Sequence, residues 1–465
     1  MPNDTTTDGQ HDHESDEKNT QTPDPGVVDA LADAVTPLTT TDPDDPPDDL
    51  DDFGDAVEDA TIVGLGEATH GTREFFELKA RMIRYCIEEL GTRTIALEAN
   101  AGETLAIHDY VVHGKGNPRE ALEAVYFWTW NVETVLDLLE WLRSFNAGRP
   151  LEDRVRFHGF DAQYTQGSVD GLLAYFDRVD PEFCETIREE LAIVADDGTP
   201  PHNDDAIEDR IAANDRVLPR VRDRLDDRRE AYVDRAGERE WALANRHCAT
   251  IDRALNYRTT MTDADGEDFV GDDSAVIDDM LRTRERAMAD GVDWILDRTE
   301  EEPLVCWAHD DHVATAEKYD SDAGVPAMGG FLEQRHGEDY LALGFTFDRG
   351  SFQAIGDVPG EVQDEDGAET AYELRECSLD DPLPGTIDAT FDAIDEEIGL
   401  LDCRAAREND CLAEWLTTER PHHSVGALFD AESPEEHVKP YAPGEAFDLL
   451  VHVAETTASR PVDDR

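Results

Sequence analysis

A chain of 465 residues with 110 acidic against 40 basic side chains carries a formal charge of -70, which argues against nucleic acid and anionic membranes as partners because both would repel it. Yet 39% of the residues are hydrophobic and fall in strand- and helix-like segments, the composition of a packed protein and not of a solvating acidic coil. Self-repulsion on this scale strains a compact state unless it is screened, so the composition predicts adaptation to molar salt.

Residues 1–26 are polar and contain proline, and they read as a disordered acidic tail in which His11 and His13 are solvated. Val27–Leu38 and Leu50–Val57 read as short helices. The apolar run Thr61–Leu65 is short enough for a buried strand and breaks at Gly66-Glu67-Ala68-Thr69-His70-Gly71. Thr72 is placed to cap a helix over about Arg73–Leu90, in which Phe75, Leu78, Met82, Cys86 and Leu90 recur at helical spacing. A second buried strand, Thr94–Leu97, ends in Glu98; if it lies beside the first in parallel, Glu98 joins Glu67 and His70 at the carboxyl edge of the sheet, where open α/β sheets place their sites. Helices over Gly102–His113 and Val132–Asn146 flank the run Tyr126–Trp130. Most of those rings belong to the core, and Trp128 and Trp130 are the candidates to line an apolar pocket.

A third strand, Val155–Phe160, ends in Asp161. From about 168 to 260 the pattern is almost wholly helical with Arg/Asp-rich faces, which predicts a helical insertion. A long helix over Ser274–Thr299 carries Arg282, Arg284 and Arg286. The apolar strand Pro303–Ala308 then ends in His309-Asp310-Asp311-His312. Tyr340–Phe347 and Ser351–Ile355, separated by Asp-Arg-Gly, read as a hairpin; Ile398–Asp402, Ser424–Phe429 and Phe447–Val453 read as further strands. The fold class expected is mixed α/β: a largely parallel central sheet flanked by helices over residues 27–465, with the insertion covering a cleft.

The seven cysteines show no C-x-x-C spacing and predict neither a zinc site nor a disulfide frame. No apolar segment reaches about 18 residues and the N-terminus lacks an apolar leader, so the expectation is a cytoplasmic protein that does not span a membrane. There is no G-x-S-x-G and no phosphate loop, and Cys306 sits inside an apolar strand.

Three strand ends thus present Glu67, His70, Glu98, His309 and His312. An imidazole that takes a proton from water, a carboxylate that orients it and cationic or N–H donors for the oxyanion would make a general-base hydrolase. The same donors could hold a divalent metal, although both the E-x-x-H and the H-x-x-H fall on turns and the H-E-x-x-H helix is absent. Lys79 shares the apolar face of its helix and is either a pocket cation or a snorkelling side chain.

The chain resembles the erythromycin esterase family in G-E-x-T-H-G-T-x-E-F at 66–75, L-E-A-N at 97–100, W-x-W-N at 128–131, W-L-R at 141–143, G-F-D-A-Q at 159–163, R-E-R-A-M-A at 284–289, H-x-x-H-V-A at 309–314 and M-G-G-F-L at 328–332, with L-G-F-T-F-D-R-G-S-F at 343–352. The resemblance implies a cofactor-free hydrolase that opens a small-molecule ester or macrolide lactone with water. It implies His70 as general base, Glu67, Glu98, His309 and His312 as its support, and Arg284 in the same cleft; Lys79 stands where these enzymes often carry arginine, and Lys79, Trp128, Trp130 and Asp161 are the residues expected to face substrate. Haem- or metal-binding proteins of similar fold are the alternative.

Overall fold

The computed structural model describes residues 22–201, 204–264, 274–299, 303–318, 321–357 and 372–462. The expected tail lies outside the described residues up to position 21, and its last two residues, Pro25 and Gly26, already begin the helix Pro25–Ala34.

Strands β1 (Thr36–Pro37), β2 (Ile62–Leu65), β3 (Thr94–Asn100), β4 (Arg156–Asp161), β5 (Leu304–Trp307), β6 (Tyr340–Asp357), β7 (Tyr372–Leu379), β8 (Ile398–Asp402) and β11 (Leu449–Thr456) form one nine-stranded sheet. Its order is β1-β8-β11-β6-β2-β5-β3-β4, with β7 attached to the far half of β6. Every pairing from β11 to β4 is parallel, while the pairings of β1 with β8, β8 with β11 and β7 with β6 are antiparallel. β9 (Arg420–His423) and β10 (Val438–Tyr441) make a separate two-stranded ribbon.

Parallel strands are covered on both faces, and β5 shows how the sequence meets that demand. Val305 and Trp307 enter the core under the helices Arg73–Glu88 and Glu133–Asn146, while Leu304 and Cys306 enter the opposite core with Met288 and Val292 of the helix Ser274–Leu296. The expected insertion is five helices between Gln166 and Ala264. It buries a third core of its own, including Leu172, Phe176, Leu191, Val217 and Ile251.

Several expectations need correction. β2 and β3 are not neighbours, because β5 arrives from late in the chain and pairs with both. Helix Pro25–Ala34 stops short of Leu38: Pro37 cannot continue it, and Thr36–Pro37 pairs with β8. The Asp-Arg-Gly at 348–350 is no hairpin turn. β6 runs through it, parallel to β11 before Gly350 and antiparallel to β7 after it, with Gly350 taking φ +127° where the pairing partner changes. Ser424–Phe429 gives only isolated bridges at Val425 and Leu428, and the strand lies before it at Arg420–His423. Gly102–His113 holds one α-turn, Leu105–His108, continued as a π-helical turn.

Candidate active site

The carboxyl ends of β2, β5, β3 and β4 meet at one edge of the sheet and deliver Glu67 and His70, His309 to His312, Glu98, and Asp161 to one place. The parallel register makes this possible, since each strand ends at the same level and hands over to a turn there. Glu98 needs one further device. The register of β3 against β4 shifts between Leu97 and Asn100, and this irregularity lets Glu98 leave the ladder and turn into the site.

Glu67 is fully buried and takes three partners: His70 Nδ1 at 2.7 Å on Oε1, and on Oε2 both the Lys79 ammonium and the Trp307 indole N–H, the latter at 2.8 Å. A carboxylate can only accept, so His70 Nδ1 carries the proton and Nε2 keeps its lone pair. The His70 side chain retains 15% exposure and borders the cavity. Lys79 is neither of the alternatives read from its position. It does not snorkel, and it does not border the cavity: it lies wholly inside, over the Trp307 ring at 4.4 Å, as the counter-ion of Glu67. Burial pulls its amine down to about 8 against the pull of Glu67.

Glu98 accepts from Arg284 Nη2 at 2.7 Å and the backbone N–H of His309 at 3.0 Å, and its Oε1 stands 3.2 Å from His312 Nε2. Burial alone would raise its pKa, but His312 and Arg284 hold it well below the usual carboxylate range. His312 is gripped from the other side by Glu285, whose Oε1 is 2.8 Å from Nδ1. Burial disfavours the charged ring, yet Glu285 and Glu98 outweigh it and raise the His312 pKa; with a carboxylate against each nitrogen, both nitrogens are occupied and suited to donate. Asp161 accepts from Arg284 Nη2 at 3.0 Å and Gln163 Nε2 at 2.7 Å; at 1% exposure it orients the arginine and offers no face to substrate, which corrects its expected role.

His309 is also spoken for. Its Nδ1 accepts from the Asp311 N–H at 3.2 Å and its Nε2 donates to the Val425 carbonyl at 3.2 Å, which fixes it as a neutral ring, tilted at 58° to the His70 ring with 4.8 Å between centroids. Burial, with His70 and Lys439 nearby, holds its pKa well below the ordinary value. The two aspartates of His-Asp-Asp-His find partners in sequence far away. Asp311 accepts from Ser424 at 2.8 Å and Tyr441 at 2.7 Å and pairs with Lys439; Asp310 accepts from the Phe345 N–H and faces His422 at 3.5 Å. Of the five residues expected to act together, His70 is therefore the one with a ring nitrogen left for a proton in transit. Among the described residues no group of three or more His, Cys, Asp or Glu side chains is placed to hold a metal ion.

A cavity of about 330 Å³ opens in front of His70, bordered by Glu98, Arg284, His309, Asp311, His312 and Lys318 on its polar side. Phe127, Trp128 and Trp130 form the aromatic side, though Trp130 is nearly all core and gives its indole N–H to the Glu98 carbonyl at 3.1 Å. Sequence reasoning missed Glu285, Lys318 and Trp307. Glu285 could have been suspected from its place beside Arg284 on a helix bound for the site; Lys318 and Trp307 carry no local signal.

A family model described as Erythromycin esterase matches residues 87–456, beginning after the turn that holds Glu67 and His70. The chain is 26% identical over 338 residues to erythromycin esterase type II of Escherichia coli, covering 70% of this chain and 78% of that one. It is also 31% identical over 127 residues to the putative hydrolase YbfO of Bacillus subtilis (strain 168), 27% of each chain. Among solved structures it is similar to a protein from Bacillus cereus (TM-score 0.75, 22% identity, covering 94% of this chain and 99% of that one) and to a histidine-to-asparagine mutant of the erythromycin esterase EreC in its open conformation (TM-score 0.65, 17% identity, 92% and 99%). At these identities the structural likeness speaks for the fold. No helix among the described residues is long and apolar enough to cross a membrane.

Proposed function

The chain belongs to the erythromycin esterase family of hydrolases, and from this we propose that it cleaves a carboxylic ester or lactone with water, His70 acting as the general base. The observation that carries the reading is the bond from His70 Nδ1 to Glu67 Oε1 at 2.7 Å, with Glu67 itself held by Lys79 and Trp307. Water in the cavity gives a proton to Nε2 as its oxygen bonds to the acyl carbon, and Glu67 stabilises the imidazolium that forms. The carbonyl oxygen gains charge beside the side chains of Arg284 and Lys318, which border the cavity. Collapse of the tetrahedral intermediate breaks the acyl–oxygen bond, and the leaving alkoxide takes the proton back from His70. Phe127, Trp128 and Trp130 take the apolar part of the substrate, which suits a bulky ester or macrolide lactone.

A panel of macrolides and simple esters incubated with the protein in molar KCl, read by mass spectrometry for the gain of one water, tests this reading. Turnover by wild type that His70→Asn lacks supports it. Turnover that a chelator abolishes in protein carrying stoichiometric metal overturns it in favour of a metal-assisted site.

A further inference from the structure

Where the helical insertion meets the sheet, a second cavity of about 290 Å³ lies apart from the first and shares no bordering residue with it. Its chemistry is unusual for so acidic a chain. Arg239, from the insertion, gives its hydrogen bond to a neutral imidazole and not to a carboxylate: His108 donates Nδ1–H to the Phe157 carbonyl at 2.9 Å and so receives the guanidinium on Nε2. The adjoining Glu240 stands 3.7 Å from Arg239 Nη1 and is turned to Arg178 at 3.0 Å. A guanidinium has five N–H donors, and one is used here. The nearest acidic neighbour of Arg239, Glu240, is thus shared with Arg178, and Asp109 borders the same cavity.

Two further groups converge. The Tyr175 side chain is 5% exposed, borders the cavity, and its hydroxyl is buried without a hydrogen-bond partner. Burial pushes this phenol up to about 12, so it remains a donor. His247, 2% exposed, forms the floor, and Gly171 is what lets it lie there, because a Cβ at 171 would stand 2.4 Å from its Nε2. Leu105, Ala106, Ala174, Leu243 and Ala244 make an apolar wall, and the charged Asp109 and Arg178 border the cavity as well. Tyr175, with an unmet buried hydroxyl, and Arg239, a half-exposed guanidinium with N–H donors to spare, border the same cavity, and both call for an acceptor with negative charge.

We propose that this cavity is a binding site for a small organic carboxylate, its oxygens held by the Arg239 guanidinium and the Tyr175 hydroxyl and its apolar body against Leu105, Ala106, Ala174 and Leu243. A single negative charge fits better than a phosphate dianion, since Asp109 and Glu240 border the same cavity and would repel the second charge. The walls come from both the sheet domain (Leu105, Ala106, His108) and the insertion (Ala174, Tyr175, Arg239, His247), so an occupant ties the two together.

Isothermal titration of the full chain with hexanoate in KCl of fixed molar strength tests this, with hexanol and inorganic phosphate as comparison probes. Saturable hexanoate binding that exceeds both probes, weakened about 10- to 100-fold in Arg239→Gln as expected for loss of a charge-assisted bond and several-fold in Tyr175→Phe, but unchanged in His70→Asn, supports the site. Tyr175→Phe carries the test if Arg239→Gln does not fold. Equal affinity for hexanol, tighter binding of phosphate, unaltered affinity in both cavity variants, or no saturation with wild type overturns it.

Discussion

Lys79 and Glu67 form an ion pair in which neither side chain is exposed to solvent. Such a pair contributes little by itself, because desolvation offsets attraction, but removing one partner strands the other in a low-dielectric interior. Lys79→Met therefore should destabilise the fold by on the order of 3–5 kcal/mol and lower ester turnover as well, since Glu67 loses the cation that fixes it under His70. Lys79→Arg must fit a larger head into a filled space and should also be destabilised, though it keeps the charge. Thermal melts in molar KCl with parallel turnover assays decide the matter: a Lys79→Met protein with wild-type midpoint and wild-type rate would remove Lys79 from the network.

The clamp on His312 predicts a pH dependence with a definite sign. Its folded pKa is raised above the ordinary 6.5 by Glu285 and Glu98 acting against burial, so its contribution to stability is complete below about pH 6.5 and is lost as pH rises through the folded value. Glu285 moves the other way: burial would raise it, but His312 and Lys318 bring it from 4.5 to about 2, so its contribution is present above pH 4.5 and fades as pH falls toward 2. The difference in melting midpoint between wild type and His312→Gln should accordingly be greatest between pH 4.5 and 6.5 and shrink on both sides. A difference that grows steadily above pH 7 would mean that the ring is neutral in the fold.

How much of this could be read from the chain follows from what each residue's role depends on. Glu67, His70, Glu98 and the His309–His312 segment were legible because they follow short apolar strands, and a parallel sheet puts such positions at one edge whatever the strand order. The strand order itself was not legible: nothing local to Leu304–Trp307 says that it lies between β2 and β3, and once there it changes what Glu98 and His309 touch. Lys79 illustrates the same limit. Helical spacing places it on the buried face beside Phe75 and Met82 but cannot tell a cavity cation from a core ion pair, because the difference is set by where Glu67 and Trp307 point. Arg284 was found through the resemblance to a family, and its neighbour Glu285 escaped because a glutamate on a charged helix reads as solvated until its partners His312 and Met328 are known.

A net charge of -70 should make the stability of this fold depend strongly on salt. In KCl on the order of molar the Debye length is about 3 Å and surface carboxylates hardly interact, whereas at about 0.01 M it is about 30 Å and they repel across much of the molecule. Pairs buried at the candidate site, such as Lys79–Glu67 and Arg284–Glu98, are screened least and should hold longest. Circular dichroism melts should therefore show a large fall in midpoint on dialysis to low salt. An equal midpoint at both salts would sink the expectation that this protein is adapted to molar salt.

His70 carries the last prediction, because the proposed chemistry rests on its free nitrogen. His70→Asn preserves polarity and approximate size while removing the base, and Glu67 keeps Lys79 and Trp307 as partners, so the melting midpoint should move little. Turnover should drop by roughly 10²- to 10⁴-fold, the usual contribution of general acid–base catalysis. Glu67→Gln should lose a comparable amount, because an amide at this place no longer requires Nδ1 to be the protonated nitrogen. The double variant should be scarcely worse than either single one, since the carboxylate acts on water only through the imidazole. His309 and His312 cannot take over, the first having both nitrogens committed to backbone groups and the second lying between two carboxylates. Steady-state rates of the two single variants and the double on the best ester of the panel, in salt where all are folded, check this: additive losses in the cycle would show that Glu67 and His70 act separately, and a His70→Asn rate within a few-fold of wild type would take the base away from His70 altogether.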